Sequence, residues 1–481
     1  MKPALSLLAL WLPLAAAAQH QHHPAPTAPP ADTTHQRHAA PMPGMDHSQH
    51  AGHNMPGMAP DTAHHMSGMQ HGGMESMSHA YSRNLPMSRN GSGTAWQPDA
   101  TPMYMWMSHH GKWMVMNHGA VFGRYTNQNI GRSGGQRGGS TWDAPNWFMT
   151  MAQRNIGQRG LLNLTAMISL DPLTEGKNGY PLLFQSGEAY NGQTLYDRQH
   201  PHDLFSALSI GYTHTFSEDV DLSLYLGYPG EPAVGPTAFM HRISAMPNPD
   251  APLGHHWVDA THITFGVATL GLRYRQFKLE ASNFTGREPD ENRYDFDRPR
   301  ADSWSGRLQW NPTRELSVQL GQAWLKSPEE LHPEDDVTRT TAAVLHSRQW
   351  ADYRFVASSL IWGMNKSGHG REHSALAETN LTLGRPTFYG RYEFVQKDPD
   401  ELNVVHLHES ETTFNIHALT LGTSYRLAQL GQKGPELHLG AQGTVYRPDA
   451  EIRGYYGKTP VSAQLYLRLN APLMRMGGMK M

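Results

Sequence analysis

The sequence predicts an all-β fold: a transmembrane antiparallel up-and-down β-barrel of about 16 strands behind a disordered N-terminal region. Three observations carry this. From about residue 112 onward, apolar side chains recur with a period of two rather than 3.6. The alternating stretches run about 9–11 residues, the length of a tilted β span. The connections between them alternate between short and long, as periplasmic turns and outer loops do.

The alternation is clearest in three places. Leu162, Leu164, Ala166, Ile168 and Leu170 oppose Asn163, Thr165, Met167 and Ser169. Val220, Leu222, Leu224 and Leu226 oppose Asp221 and Ser223, and Val461, Ala463, Leu465, Leu467 and Leu469 oppose Ser462, Gln464, Tyr466 and Arg468. The candidate strands are 112–123, 145–154, 160–170, 204–216, 219–228, 262–275, 277–286, 303–311, 315–324, 336–347, 352–363, 373–384, 386–396, 413–426, 435–446 and 461–470. Short connections fall at 155–159, 217–219, 275–276 and 312–314; long ones fall at 124–144, 171–203, 229–261, 287–302, 325–335, 397–412 and 447–460. A soluble β-sandwich or propeller accounts for the strands but not for this alternation. An even strand count puts both termini on the periplasmic side of a bacterial outer membrane.

The flanking segments follow from composition. Residues 1–18 read as a signal peptide: Lys2, an apolar stretch from Leu5 to Leu14, then Ala16, Ala17 and Ala18 before Gln19. Residues 19–101 form the His/Met-rich segment expected to be disordered, 102–470 the barrel, and 471–481 a second Met-rich tail with Met474, Met476, Met479 and Met481. The last strand ends near Asn470 rather than on the aromatic residue common in bacterial barrels.

Residues 20–80 hold 12 of the 30 histidines and 8 of the 25 methionines, with few aliphatic residues among them. Such a segment cannot offset its ordering entropy. Its densest donors are Met42, Met45, His47, His50, His53, Met55, Met58, His64, His65, Met66 and Met69. Thioether favours Cu(I), and imidazole accepts Cu(I) or Cu(II), so copper is the expected ion, with other soft divalent metals as a wider set. A low-complexity linker is the bland alternative. Binding through histidine needs the neutral imidazole, so affinity should fall below about pH 6.5.

Two further groups stand out. Met103, Met105, Met107, Met114, Met116, Met149 and Met151 recur at two-residue spacing, which places each set on one strand face. They face either the lumen or lipid, where methionine is an ordinary filler. The long loops carry Asp197-Arg-Gln-His200-Pro-His202-Asp203, Met240-His241-Arg242, and His255-His256 followed by Asp259 and His262. His200, His202, His241, His255 and His256 are candidate metal ligands if these loops fold into the barrel. The alternative is that Arg and Asp/Glu pairs merely hold the loops, with histidine as hydrogen-bonding filler.

Other classes find no support. A formal net charge of −3 gives no footprint for nucleic acid. Zero Cys excludes disulfides and thiolate sites. No stretch of about 18 apolar residues follows the leader, which excludes helical spans. The sequence holds no H-E-x-x-H or P-loop motif, and the chain is not expected to be an enzyme.

The leader, the blocks Met42-Pro-Gly-Met45-Asp-His47 and Met55-Pro-Gly-Met58, and the strand-rich remainder together resemble the outer-membrane proteins of bacterial copper-resistance systems. The loop motifs, such as Pro236-Thr-Ala-Phe-Met-His-Arg242 and Gly286-Arg-Glu-Pro-Asp-Glu-Asn-Arg293, resemble those of a group of uncharacterised bacterial envelope proteins. The first resemblance implies copper binding by the tail and copper resistance by sequestration or efflux. The partners expected are outer-membrane lipid, periplasmic copper carriers and the barrel-assembly machinery. Two alternatives remain open: a passive porin-like channel for a small solute, and a barrel-embedded lipid-modifying enzyme.

Overall fold

The computed structural model describes residues 78–79, 81–132, 135–368, 370–404 and 413–474. The leader, the candidate ligands from Met42 to Met69 and the end of the C-terminal tail lie outside the described residues.

Sixteen antiparallel strands close into one barrel. They are β1 (Trp113–Gln128), β2 (Asn146–Ile156), β3 (Gly160–Ile168), β4 (Phe205–Thr215), β5 (Val220–Gly227), β6 (Val267–Tyr274), β7 (Phe277–Phe284) and β8 (Ser303–Thr313), followed by β9 (Leu316–Leu325), β10 (Val337–Ala351), β11 (Arg354–Ser367), β12 (Gly370–Leu383), β13 (Pro386–Lys397), β14 (Phe414–Gln429), β15 (Glu436–Pro448) and β16 (Val461–Asn470). Each candidate stretch of the sequence maps onto one strand. β16 closes the wall on β1, from Ala463 opposite Asn127 to Asn470 opposite Ala120. Two short strands, Trp106–His110 and Gly139–Asp143, pair with the two ends of β1, at 113–117 and 124–128. β6 starts at Val267, later than the period alone indicates, because the preceding residues continue through the lumen.

The wall inverts the usual sidedness of a folded protein. Leu222, Leu224, Leu270, Leu272, Leu279, Leu320, Leu360, Leu421, Leu465 and Leu467 point outward and are exposed. Their alternates Asp221, Thr269, Glu280, Gln319, Glu378, Arg391, Gln442, Gln464 and Arg468 are buried inside. Tyr274, Phe277 and Trp310 ring the short-turn end of this apolar surface, and Trp304, Trp324 and Trp362 ring the long-loop end. An apolar band between two aromatic girdles is the surface a barrel presents to lipid.

The lumen is filled by the protein's own chain. The segment 228–266 between β5 and β6 is irregular and rich in proline, so its backbone polar groups need partners from the wall. Arg307 donates to Gly235 O at 3.0 Å, Asn380 to Ile243 O at 2.8 Å, Arg468 to Met246 O at 2.7 Å, Tyr466 to Pro247 O at 2.6 Å and Arg391 to Asp250 O at 2.9 Å. Arg242 pairs with Glu378 at 2.9 Å, and the Leu253 amide donates to Glu393 at 2.6 Å. Gly363 permits one close approach: a Cβ there would sit 2.3 Å from the Trp257 carbonyl oxygen. This plug is therefore bonded to strands around the barrel.

Residues 87–101 are also seated in the lumen, which corrects the boundary drawn at residue 101 from composition. The Trp96 amide donates to Gln309 at 2.6 Å, and Gln319 donates to the Trp96 carbonyl at 2.6 Å. Arg307 donates to Thr94 at 2.9 Å, Ser92 to Glu231 at 3.0 Å, and Arg89 forks onto Asp99 at 2.6 and 2.7 Å. A buried tryptophan and a near-buried ion pair anchor this stretch.

Arg124 shows how the plug is held. Its guanidinium is fully buried, 2.5 Å from Asp143 and 2.7 Å from Asp250, and it stacks 3.8 Å over the Tyr180 ring. Replacing it by alanine strands two buried carboxylates, so Arg124→Ala should destabilise the fold by about 3–5 kcal/mol. The denaturant midpoint of the detergent-solubilised protein reads this directly. A midpoint equal to that of the wild type would refute the role.

Candidate metal centre

Two lumenal segments bring the histidines together. His200 and His202 stand on the return of the loop into β4, where Pro201 disfavours a helical backbone at His200. His255 and His256 open the helical turn His255–Val258 of the plug, and His262 ends the following turn, Ala260–His262. One ligand nitrogen each from His200, His255 and His256 lies within 4.8 Å of the others, and all three residues are buried. The rings of His202 and His262 are adjacent. Centroid distances are 5.8 Å for His200–His202, 5.4 Å for His202–His262 and 5.1 Å for His255–His262.

Each imidazole is anchored through Nδ1. His255 meets Asp259 at 2.6 Å, His256 meets Glu288 at 3.1 Å and His202 meets Asp171 at 2.7 Å, while His200 hydrogen-bonds the Pro201 carbonyl at 3.3 Å with the Glu188 carboxylate 3.1 Å from the same nitrogen. His262 Nδ1 bonds the Asp259 carbonyl at 2.7 Å. The Nε2 atoms of His200, His202, His256 and His262 are buried without a hydrogen-bond partner. An unpartnered buried polar atom is costly. Here two of them belong to the trio, His200 and His256, and each has a carboxylate within 3.1 Å of the opposite ring nitrogen. That is how carboxylate–histidine–metal sites fix the tautomer and aim the free lone pair. Metal–nitrogen bonds of about 2.0–2.1 Å put ligand nitrogens ~3.4 Å apart, so the trio closes on an ion by a modest inward shift.

The carboxylates are themselves tied down. Arg293 pairs with Glu188 and, at 3.5 Å, with Asp203; Arg242 reaches Asp259 at 3.1 Å. Burial, reinforced by the Arg293 cation, holds the His200 pKa well below the ordinary imidazole value. Burial also lowers His255, against the pull of Asp259. Although burial pushes Asp259 up, His255 and Arg242 hold its carboxyl below the usual range. Burial thus favours the neutral form of His200 and His255, which is the form that binds metal.

Of the five loop histidines expected from sequence, the structure gathers His200, His255 and His256, with His202 beside them. His241 is placed elsewhere. It ends the turn Phe239–His241, with its ring 4.7 Å from Trp147 and 5.7 Å from His118. The ion pairs expected under the alternative are also present, and they hold the same histidines. Sequence reasoning missed Asp171 and Glu188 as anchors and His262 as a member.

Two cavities adjoin the centre. One, of about 150 Å³, is lined by Met87, Met103, Met105, His118, Trp147, His202 and His241. The other, of about 30 Å³, is lined by Met149, Met151, Met167, Met240, His241 and His262.

No protein-family model matches the chain, and no curated protein matches it. Among solved structures it is similar to an anion-selective porin from Comamonas acidovorans (12% identity, 74% of this chain and 99% of that chain, TM-score 0.46). It is also similar to Salmonella typhi OmpF in complex with daunomycin (8% identity, 76% and 100% of the two chains, TM-score 0.47). A third is OpdQ of Pseudomonas aeruginosa (10% identity, 75% and 98%, TM-score 0.37).

Proposed function

We propose that this chain is an outer-membrane, porin-like barrel with both termini in the periplasm, and that its lumen holds a transition-metal ion on His200, His255 and His256. The observation that carries the reading is the convergence of three buried imidazoles, each with a carboxylate oxygen within 3.1 Å of its Nδ1. Copper is the ion favoured, because methionines line the adjoining cavities and the segment 20–80 supplies the same two donor types. In this role the tail captures copper in the periplasm, receiving it from copper carriers there. The barrel then sequesters the ion or moves it across the outer membrane, contributing to copper resistance.

Calorimetric titration with Cu(II) and Zn(II) tests this on the full chain and on a chain lacking residues 20–77. The shortened chain should retain one tight site, with imidazole nitrogen splittings in its Cu(II) spin-resonance spectrum. Absence of any site in the shortened chain would remove the centre.

A pH prediction separates tail from centre. Protons compete with metal for a ring nitrogen, and burial lowers the His200 and His255 pKa values. Competition at the centre therefore begins at lower pH than at solvated imidazoles, whose pKa is about 6.5. After equilibration at pH 5 the full chain should release its tail-bound ions and keep one. Loss of all bound metal between pH 7 and 5 would contradict the buried centre.

The second reading is a passive channel for a small solute. It is favoured by the closed sixteen-strand wall and by the cavity of about 150 Å³ between the N-terminal segment and the plug. Planar-bilayer recordings distinguish the two. Steady conductance indifferent to copper supports the channel.

A further inference from the structure

The methionines form a built array of their own. The apolar core toward the long-loop end, around Trp257, Leu253, Phe184 and Tyr446, contains no methionine among the described residues. The second core gathers Met87, Met116, Met149, Met151 and Met167, with Met103, Met105, Met107, Met114 and Met240 packed against it. If methionine were only filler, the two cores should share it.

Strand register arranges these side chains in rows. On β1, β2 and β3, His118 stands opposite Met149, and Met149 opposite Met167. One row along, Met107 stands opposite Met116, and Met116 opposite Met151. Directly paired residues share a face, with Cβ atoms about 4.5–5.5 Å apart. In β1 and β2 the alternates Phe148 and Gly123 are exposed, whereas Met116, Met149, Met151 and Met167 are buried, so the rows face the lumen. Met240 and His241 of the plug line the space on the other side. His262 lines that cavity and His118 the neighbouring one, and the Nε2 of each is buried without a hydrogen-bond partner.

We propose that this space is a second metal site, selective for a soft monovalent cation, with Met149, Met151, Met167 and Met240 supplying thioether sulfur and His118 or His241 an imidazole nitrogen. Neutral thioethers bind Cu(I) or Ag(I) but hold hard or borderline divalent ions poorly. The site lies in the same lumen as the histidine centre and touches it through His262, which gives a soft ion a step between periplasmic methionines and imidazoles. It rests on the barrel reading and not on the histidine centre.

Ag(I) is the probe, since it is monovalent, soft and stable in air. Crystals of the full chain soaked in Ag(I) should show an anomalous peak between the methionine rows and Met240. The triple variant Met149→Leu, Met151→Leu, Met167→Leu keeps volume and so should keep the fold. In it that peak should vanish while Zn(II) at His200, His255 and His256 persists. No peak in the wild type, or a peak unchanged in the triple variant, overturns the site. A silver peak here in a protein that takes no Zn(II) at the histidines would leave this site standing and remove the other.

Discussion

Replacing His200 and His256 together by alanine should weaken Cu(II) and Zn(II) binding by the chain lacking residues 20–77 by at least about 100-fold. Losing even the partner behind a metal-bound histidine costs about 10–100-fold. Here two of the three ligands themselves are removed. The anchors provide the finer test. Asp259→Asn keeps the size of the side chain that meets His255 at 2.6 Å, and Glu288→Gln keeps that of the one that meets His256 at 3.1 Å, but each removes a charge. Each should lower affinity about 10–100-fold while leaving the ligand nitrogens present. If the histidines only fill a polar interior, the ligand and anchor variants should alter stability alone, and competitive titration would find no affinity to lose. Asp259 also holds Arg242, so its stability should be measured beside its affinity.

The wall was legible because a barrel strand meets only two environments. Leu222 and Leu224 against Asp221 and Ser223 encode lipid and lumen directly in the order of residues. The histidine centre was legible in part. His-Pro-His and His-His are conspicuous pairs, but nothing local says that residue 200 will meet residue 256. Their meeting depends on two loops turning inward and bonding to walls far away in sequence, as Leu253 does to Glu393. The anchors Asp171 and Glu188 were invisible for the same reason. His241 shared the composition of the centre but faces Trp147 and His118 across another cavity. The direction of the methionines stayed open until register paired Met116 with Met151. At the N-terminal boundary a signal was present: histidine thins out after residue 80, and Arg89, Trp96 and Asp99 supply anchors.

Deleting 236–262 and bridging the gap with a short flexible linker should raise single-channel conductance at least about tenfold, since a barrel of this strand number leaves an aqueous channel when nothing fills it. The argument is geometric. The described lumen is occupied by a segment bonded to Glu378, Arg391, Arg468, Tyr466 and Arg307 around the wall, and the deletion removes the first four of these contacts at once. A reversible variant shows whether the intact plug moves. Ser244 and Ser359 face each other with hydroxyl oxygens 2.7 Å apart, one on the plug and one on β11. Changing both to cysteine in a chain that has none places two thiols within reach of a disulfide. If metal passes by displacement of the plug, the oxidised protein should bind the ion at the centre yet fail to release it across a loaded vesicle, and reduction should restore release. Equal flux in the oxidised and reduced states would mean that the plug is a fixed wall and that any path runs past it. Deletion without a conductance increase would mean that the segment 87–101, bonded to Gln309 and Gln319, seals the barrel by itself.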